Sequence, residues 1–111
     1  MLSKEELPDC PVATTVGLIG NKWKPLILRD LMQGPQRFKY LLYGIAGISA
    51  KVLTENLRQM EEDGLIKREV FAEIPLRVEY SLTNLGEQMR PIIETLASFG
   101  NTYKNYIKTN K

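Results

Sequence analysis

The sequence contains no histidine, and that absence excludes more chemistry than any other feature of its composition. Without an imidazole, Ser-His and Cys-His nucleophile pairs cannot be assembled and the commonest general base is missing. The usual zinc ligand sets fail as well, because Cys10 is the sole cysteine. One cysteine also rules out an internal disulfide framework. A thiol peroxidase built on Cys10 would lack both a base and a recognisable peroxide-binding motif. The expectation is therefore a protein that is not an enzyme and holds no metal or cofactor. No apolar run approaches the ~20 residues that span a bilayer, and the opening Met1-Leu2-Ser3-Lys4-Glu5-Glu6 lacks the apolar stretch of a signal peptide. A cytoplasmic location without membrane contact is expected. Net charge is only +2, so composition alone does not point to nucleic acid.

What is present suits one folded unit. A length of 111 residues with 43% hydrophobic and 25% charged residues allows a single core. The expected organisation is an N-terminal extension over 1–9, one domain over 10–108 and a polar tail over 109–111. Asp9 or Cys10 can cap a first helix with Pro11 in its opening turn, where a missing N–H costs nothing. Val12, Val16 and Ile19 recur at helical spacing before Gly20. Asn21 can cap a second helix starting near Lys22 and running to Met32, before Gly34-Pro35 breaks the chain. Arg37 to Tyr43 forms a third helix that buries Phe38, Leu41 and Leu42. Gly44 to Ile48 is a turn, and Ser49 caps a fourth helix with an inward stripe of Leu53, Leu57 and Met60, closed by Gly64.

After Gly64 the pattern changes to extended. Leu65–Phe71 and Val78–Leu82 are rich in branched and aromatic residues and form a hairpin, with Pro75 in its loop. Thr83 or Asn84 restarts helix, and Pro91 either kinks it or opens a last segment. That segment carries Ile92, Leu96, Phe99, Tyr103 and Tyr106 at spacings of 4, 3, 4 and 3, a heptad seam over about two turns of the repeat. The fold class is α+β and mostly helical: a winged helix-turn-helix with a two-strand wing and terminal dimerisation helices, the last over about 84–108.

In that arrangement the helix after the turn enters the major groove of double-stranded DNA. With Leu53, Leu57 and Met60 inward, Lys51, Thr54, Glu55 and Arg58 point outward near the helix start, and Ala50 permits close approach. Lys51 and Arg58 can donate to guanine or phosphate, and Thr54 can donate, accept or touch a thymine methyl; against this, Glu55 repels phosphate unless it faces a cytosine amino group, and the acidic run Glu61-Glu62-Asp63 late in the helix is expected to face solvent. Between Lys22 and Lys39 five cations (Lys22, Lys24, Arg29, Arg37 and Lys39) face one anion, Asp30, a candidate phosphate surface that also reads as ordinary solvated charge. Arg77, at the wing tip, can reach a backbone or a minor groove. Trp23, Tyr40, Tyr43 and Tyr80 read as core aromatics, so no small-molecule effector site is assigned.

Several short motifs stand in order over roughly Cys10 to Gly100. Cys10-Pro11-Val12, Gly20-Asn21-Lys22-Trp23-Lys24-Pro25-Leu26-Ile27-Leu28, Gly47-Ile48-Ser49, Leu53-Thr54, Glu62-Asp63-Gly64-Leu65-Ile66, Arg77-Val78-Glu79-Tyr80-Ser81-Leu82-Thr83 and Leu85-Gly86 together resemble the HxlR-type regulators. The chain departs from their pattern at Tyr40, at Ala46, and at Gln59-Met60. The resemblance implies a dimeric transcription factor, a repressor by default, whose first and last helices form the subunit interface. That adds Val12 and Val16 to the heptad residues as interface candidates, with Ser49, Ala50, Lys51, Thr54, Glu55, Arg58, Lys39 and Arg77 as DNA contacts. The implied partner is a pseudo-palindromic operator.

Cys10 carries two readings. A helix start is a place where a thiol becomes reactive, and the resemblance extends to members that sense oxidants or electrophiles through the matching cysteine. The alternative is a small residue buried at the dimer interface. The competing functional class is a winged-helix interaction module that does not read DNA sequence, since fold alone does not fix function.

Overall fold

The computed structural model describes residues 2–110. Met1 of the expected extension and Lys111 of the expected tail lie outside the described residues. A 3-10 turn at Lys4–Glu6 is followed by α1 (Pro11–Ile19), α2 (Lys24–Leu31), α3 (Phe38–Gly44) and α4 (Ala50–Glu62). Then come the antiparallel strands β1 (Ile66–Phe71) and β2 (Arg77–Leu82), the short α5 (Asn84–Glu87) and the long α6 (Arg90–Thr109).

Local chemistry accounts for most boundaries. Pro11 opens α1 with Cys10 at its N-cap. The second helix starts at Lys24, two residues later than the sequence pattern suggests. Asn21 still supplies the cap, since its Oδ1 accepts from the backbone N–H groups of Trp23 and Lys24, both at 2.9 Å. The intervening residues bend instead of coiling, which leaves Pro25 in the first turn, where its missing N–H breaks no helical bond. Gly64 ends α4 with φ at 81°, a left-handed conformation that a side chain disfavours, and turns the chain into β1. Pro91 opens α6, and the helix continues to Thr109, into the stretch expected to be a polar tail. Tyr106 O accepts from both the backbone and the side chain of Asn110, which satisfies an end carbonyl that would otherwise fray.

The core is one cluster in which Ile19, Ile27, Leu28, Leu31, Leu41, Ile45, Leu53, Leu57, Met60, Leu65, Ile66 and Ile93 are buried together. Two expected core aromatics are not part of it. Tyr40 and Tyr43 sit on the exposed face of α3, opposite Leu41, because three-residue spacing puts them on one side of the helix. Trp23 and Tyr80 do pack against the core, half-buried.

The wing is tied down at its base and along β2. Its register pairs Ile66 with Leu82, Arg68 with Tyr80, Val70 with Val78 and Phe71 with Arg77. On the far edge of β2, Gln36 exchanges two backbone bonds with Tyr80 at 2.9 and 2.8 Å, so the loop between α2 and α3 adds a bridge to the sheet. At the base, the Thr83 hydroxyl donates to Gly64 O at 2.6 Å and accepts from Gly86 N at 2.9 Å, joining the hairpin to α5. The orientation of the wing relative to α4 is thereby fixed by backbone bonds as well as by packing.

Candidate nucleic-acid interface

The turn between α3 and α4 is made by Gly47, with φ at 83°; Gly44, also expected in the turn, is the last residue of α3. Ser49 caps α4, its Oγ accepting from Val52 N at 3.1 Å. From there Leu53, Leu57 and Met60 face inward, fully buried, while Lys51, Thr54, Glu55 and Arg58 are exposed on one face. Ala50 and Ser49 are exposed at the start of that face. The Thr54 hydroxyl donates to Ala50 O at 2.8 Å, so its oxygen is left as an acceptor.

One polar residue of α4 points inward, and the sequence pattern did not single it out. Asn56 is 6% exposed; its Oδ1 accepts from Asn21 Nδ2 and its Nδ2 donates to Val52 O, both at 2.8 Å. The same Asn21 that caps α2 therefore also holds α4, coupling α2 to the helix after the turn through one amide pair. The only sequence signal for this was an amide on an otherwise apolar helix stripe.

The upstream basic residues divide. Lys24 is buried at 8% exposure and lines a cavity of about 520 Å³ with Leu7, Leu18, Leu85 and Glu62, so it does not belong to an outer phosphate surface. Arg29 is committed internally, with Nε 2.9 Å from Asp30 Oδ1 and Nη2 donating to Gly44 O at 3.2 Å, where it caps the end of α3. Lys22, Arg37 and Lys39 remain exposed; Lys22 lies 4.7 Å from the Trp23 ring centroid and Lys39 5.2 Å from that of Tyr40.

Arg77 is not in the loop at the wing tip. It is the first residue of β2, because its pairing with Phe71 extends the ladder one step beyond Val78. Its guanidinium stacks 3.8 Å from the Phe71 ring centroid, bonds Glu73 at 3.0 Å through Nη2, and bonds Glu79 through Nη1. The Arg77 hydrogen bond holds the Glu73 carboxyl below its ordinary 4.5, and the two carboxylates hold Arg77 still more firmly protonated. Arg77 thus stands on the wing with its charge compensated by Glu73 and Glu79.

Away from the core, α1 and α6 each expose apolar side chains. Val12 and Val16 are 70% and 56% exposed. Along α6, Ile92, Leu96, Phe99, Tyr103 and Tyr106 form a continuous exposed row, with the rings of Phe99, Tyr103 and Tyr106 successively 6.5 and 6.2 Å apart. Cys10, at the start of α1, is also exposed in the single chain, and its thiol does not cap the helix.

Known proteins share this architecture. The HxlR-like helix-turn-helix family matches residues 18–108. An HTH-type transcriptional regulator of Bacillus subtilis, YdeP, is 40% identical over 95% of this chain and 82% of its own length. A regulator of Synechocystis sp. is 44% identical over 85% of this chain and 70% of its own. Among solved structures, the redox regulator HypR in its reduced form superposes with a TM-score of 0.84 at 33% identity, covering 90% of this chain and 99% of that one. The reduced form of the transcriptional regulator YodB from B. subtilis superposes at 0.75 with 32% identity, over 86% of this chain and 95% of that one.

Proposed function

This chain belongs to the HxlR-like helix-turn-helix family of DNA-binding transcriptional regulators, and on that premise we propose that it acts as a homodimer that represses transcription from a pseudo-palindromic operator. The observation that carries the proposal is the exposed face of α4, where Lys51, Thr54, Glu55 and Arg58 stand clear of the core beside an anchored wing. Lys51, Thr54 and Glu55 meet base edges in the major groove; Ser49 and Ala50 allow the helix start to approach; Lys39 contacts phosphate. Arg77 serves as the brace of the wing next to the DNA backbone. The wing keeps its shape because that arginine holds both Glu73 and Glu79.

The apolar row of α6, together with Val12 and Val16 of α1, is covered by the second subunit. An exposed apolar row of this kind marks an interface. A two-fold particle then presents two α4 helices to half-sites about one DNA turn, 10 to 10.5 bp, apart or a multiple of that. Bound there, the dimer competes with polymerase for the promoter.

Cys10 makes the dimer responsive to oxidants or electrophiles. Its exposed thiol supports this reading, as does the likeness to the redox regulator HypR. With no second cysteine in the chain, the chemistry is an intersubunit disulfide, a mixed disulfide with a small thiol, or alkylation. Mass spectrometry after diamide or quinone treatment, paired with a gel shift on DNA selected by the protein, tests both halves of the proposal. Salt-sensitive, sequence-selective retention together with a Cys10 adduct that alters affinity is the expected result. No selectivity at low salt removes the regulator reading, and no adduct with unchanged affinity removes the sensor.

A further inference from the structure

The chain has six arginines, and their environments separate them. Arg29, Arg77 and Arg90 are each ion-paired within the chain. Arg37, Arg58 and Arg68 have no side-chain ion-pair or hydrogen-bond partner among the described residues, and two of them, Arg58 and Arg68, come together. These two line the same cleft, a hollow of about 150 Å³ between α4 and the wing, whose other walls are Thr54, Leu57, Glu61 and Tyr80.

The strand register makes Arg68 the more informative of the pair. Side chains alternate across a hairpin, so Ile66, Arg68 and Val70 share one face with Leu82, Tyr80 and Val78. Lys67, Glu69 and Phe71 share the other face with Ser81, Glu79 and Arg77. The ion-paired Arg77 cluster thus occupies the outer face of the wing, while Arg68 is a lone charge among apolar and aromatic neighbours on the face turned toward α4. A charge that breaks the alternation, with no internal partner, has no structural task to account for it.

We infer that Arg58 and Arg68 together form a seat for one backbone phosphate of the bound DNA, at the mouth of the cleft between α4 and the wing. Guanidinium groups suit a phosphate because their N–H donors match its oxygens in paired geometry. Arg58 lies one helical turn beyond Thr54 on the exposed face of α4, where a helix lying in the major groove passes out toward the flanking strand. Glu61 on the same wall opposes the phosphate and leaves the seat with a net charge of one cation. Unoccupied by phosphate, two guanidiniums on one cleft repel each other; the anion removes that repulsion. The inference rests on the DNA-binding reading above, and it assigns Arg68 a role that neither the sequence pattern nor the family likeness gave it.

Fluorescence anisotropy with the full-length dimer tests it, using a duplex the protein selects from a random pool and an unrelated duplex, each titrated from low to moderate salt. For Arg68→Gln the slope of log K against log salt becomes shallower by about 0.9 per subunit engaged, or about 1.8 for a dimer on its operator, because Arg58 and Glu61 then cancel and the phosphate is no longer neutralised. The loss is the same on both duplexes, Arg68→Lys restores most of the slope, and Glu61→Gln tightens binding to both. Duplexes carrying a single uncharged methylphosphonate locate the contact: wild type weakens at one position per half-site, and Arg68→Gln is indifferent to that position. An unchanged slope for Arg68→Gln, with wild type still selective, overturns the phosphate seat and leaves the regulator reading intact. Wild type that binds both duplexes equally sinks the sequence-reading claim instead, and the Arg68→Gln slope still decides the seat. Wild type that binds neither duplex overturns both.

Discussion

Replacing Phe99 by alanine tests the second subunit most sharply, because the residue should matter to the dimer and hardly at all to the single chain. Phe99 is 66% exposed on α6, in line with Leu96 and Tyr103. Truncating a fully buried phenylalanine costs about 3–5 kcal/mol. Scaled by the roughly two thirds of the ring that only a partner can cover, the cost is about 2–3 kcal/mol per subunit, hence about 4–6 kcal/mol per dimer. That raises the dimer dissociation constant by roughly 10³ to 10⁴. Sedimentation equilibrium over a wide concentration range reads the change, and circular dichroism checks that helix content holds, as it should for a residue two-thirds exposed in the single chain. An unaltered dissociation constant would refute the assignment of this row to the interface. Loss of helix in dilute Phe99→Ala, without loss of the dimer at higher concentration, would refute the view that α6 is held by its own subunit through Ile93 and Met89.

Asn56→Ala removes the amide that joins α4 to Asn21 and should destabilise the chain by about 1–2 kcal/mol, with weaker operator binding although no DNA contact is touched; thermal melts and anisotropy check it, and wild-type values for both would exclude the coupling. Thr54→Val loses the acceptor oxygen, so it should relax sequence preference at one base pair per half-site, by about 1–3 kcal/mol of discrimination; selection from a random pool that returns the wild-type motif contradicts this. The wing also has a pH dependence. Glu73 has a lowered folded value because Arg77 bonds it, so its contribution is present above 4.5 and fades as pH falls through that lowered value. Amide hydrogen exchange in β1 and β2 should therefore quicken on acidification in wild type more than in Glu73→Gln, after correction for intrinsic rates; parallel profiles would show that the Arg77 bond does not hold the wing.

Much of the fold was legible because local rules agreed with one another. Ser49 and Gly64 bracket α4 by capping chemistry, and Leu53, Leu57 and Met60 mark its inner face, so its outer face followed by geometry. What escaped depended on partners distant in sequence. Lys24 and Arg29 look like surface cations until burial and Gly44 O claim them. Tyr40 and Tyr43 look like core because aromatics usually are, yet three-residue spacing set them together on the outer side of α3. Arg77 seemed a free wing-tip charge because Glu73 and Glu79 are near in sequence without their geometry being visible. Arg68 drew no notice at all, since only the register with Tyr80 reveals which face of the hairpin it occupies.

The central claim, that the exposed face of α4 reads DNA sequence in a two-fold particle, is tested most directly by hydroxyl-radical footprinting of the dimer on a duplex it selects from a random pool. Two protected patches related by a dyad, about 10 to 10.5 bp apart or a multiple of that, which disappear together in a Lys51→Ala, Thr54→Ala double variant of normal stability, are the predicted outcome. A single unsymmetrical patch, or protection that survives in the double variant, would contradict it.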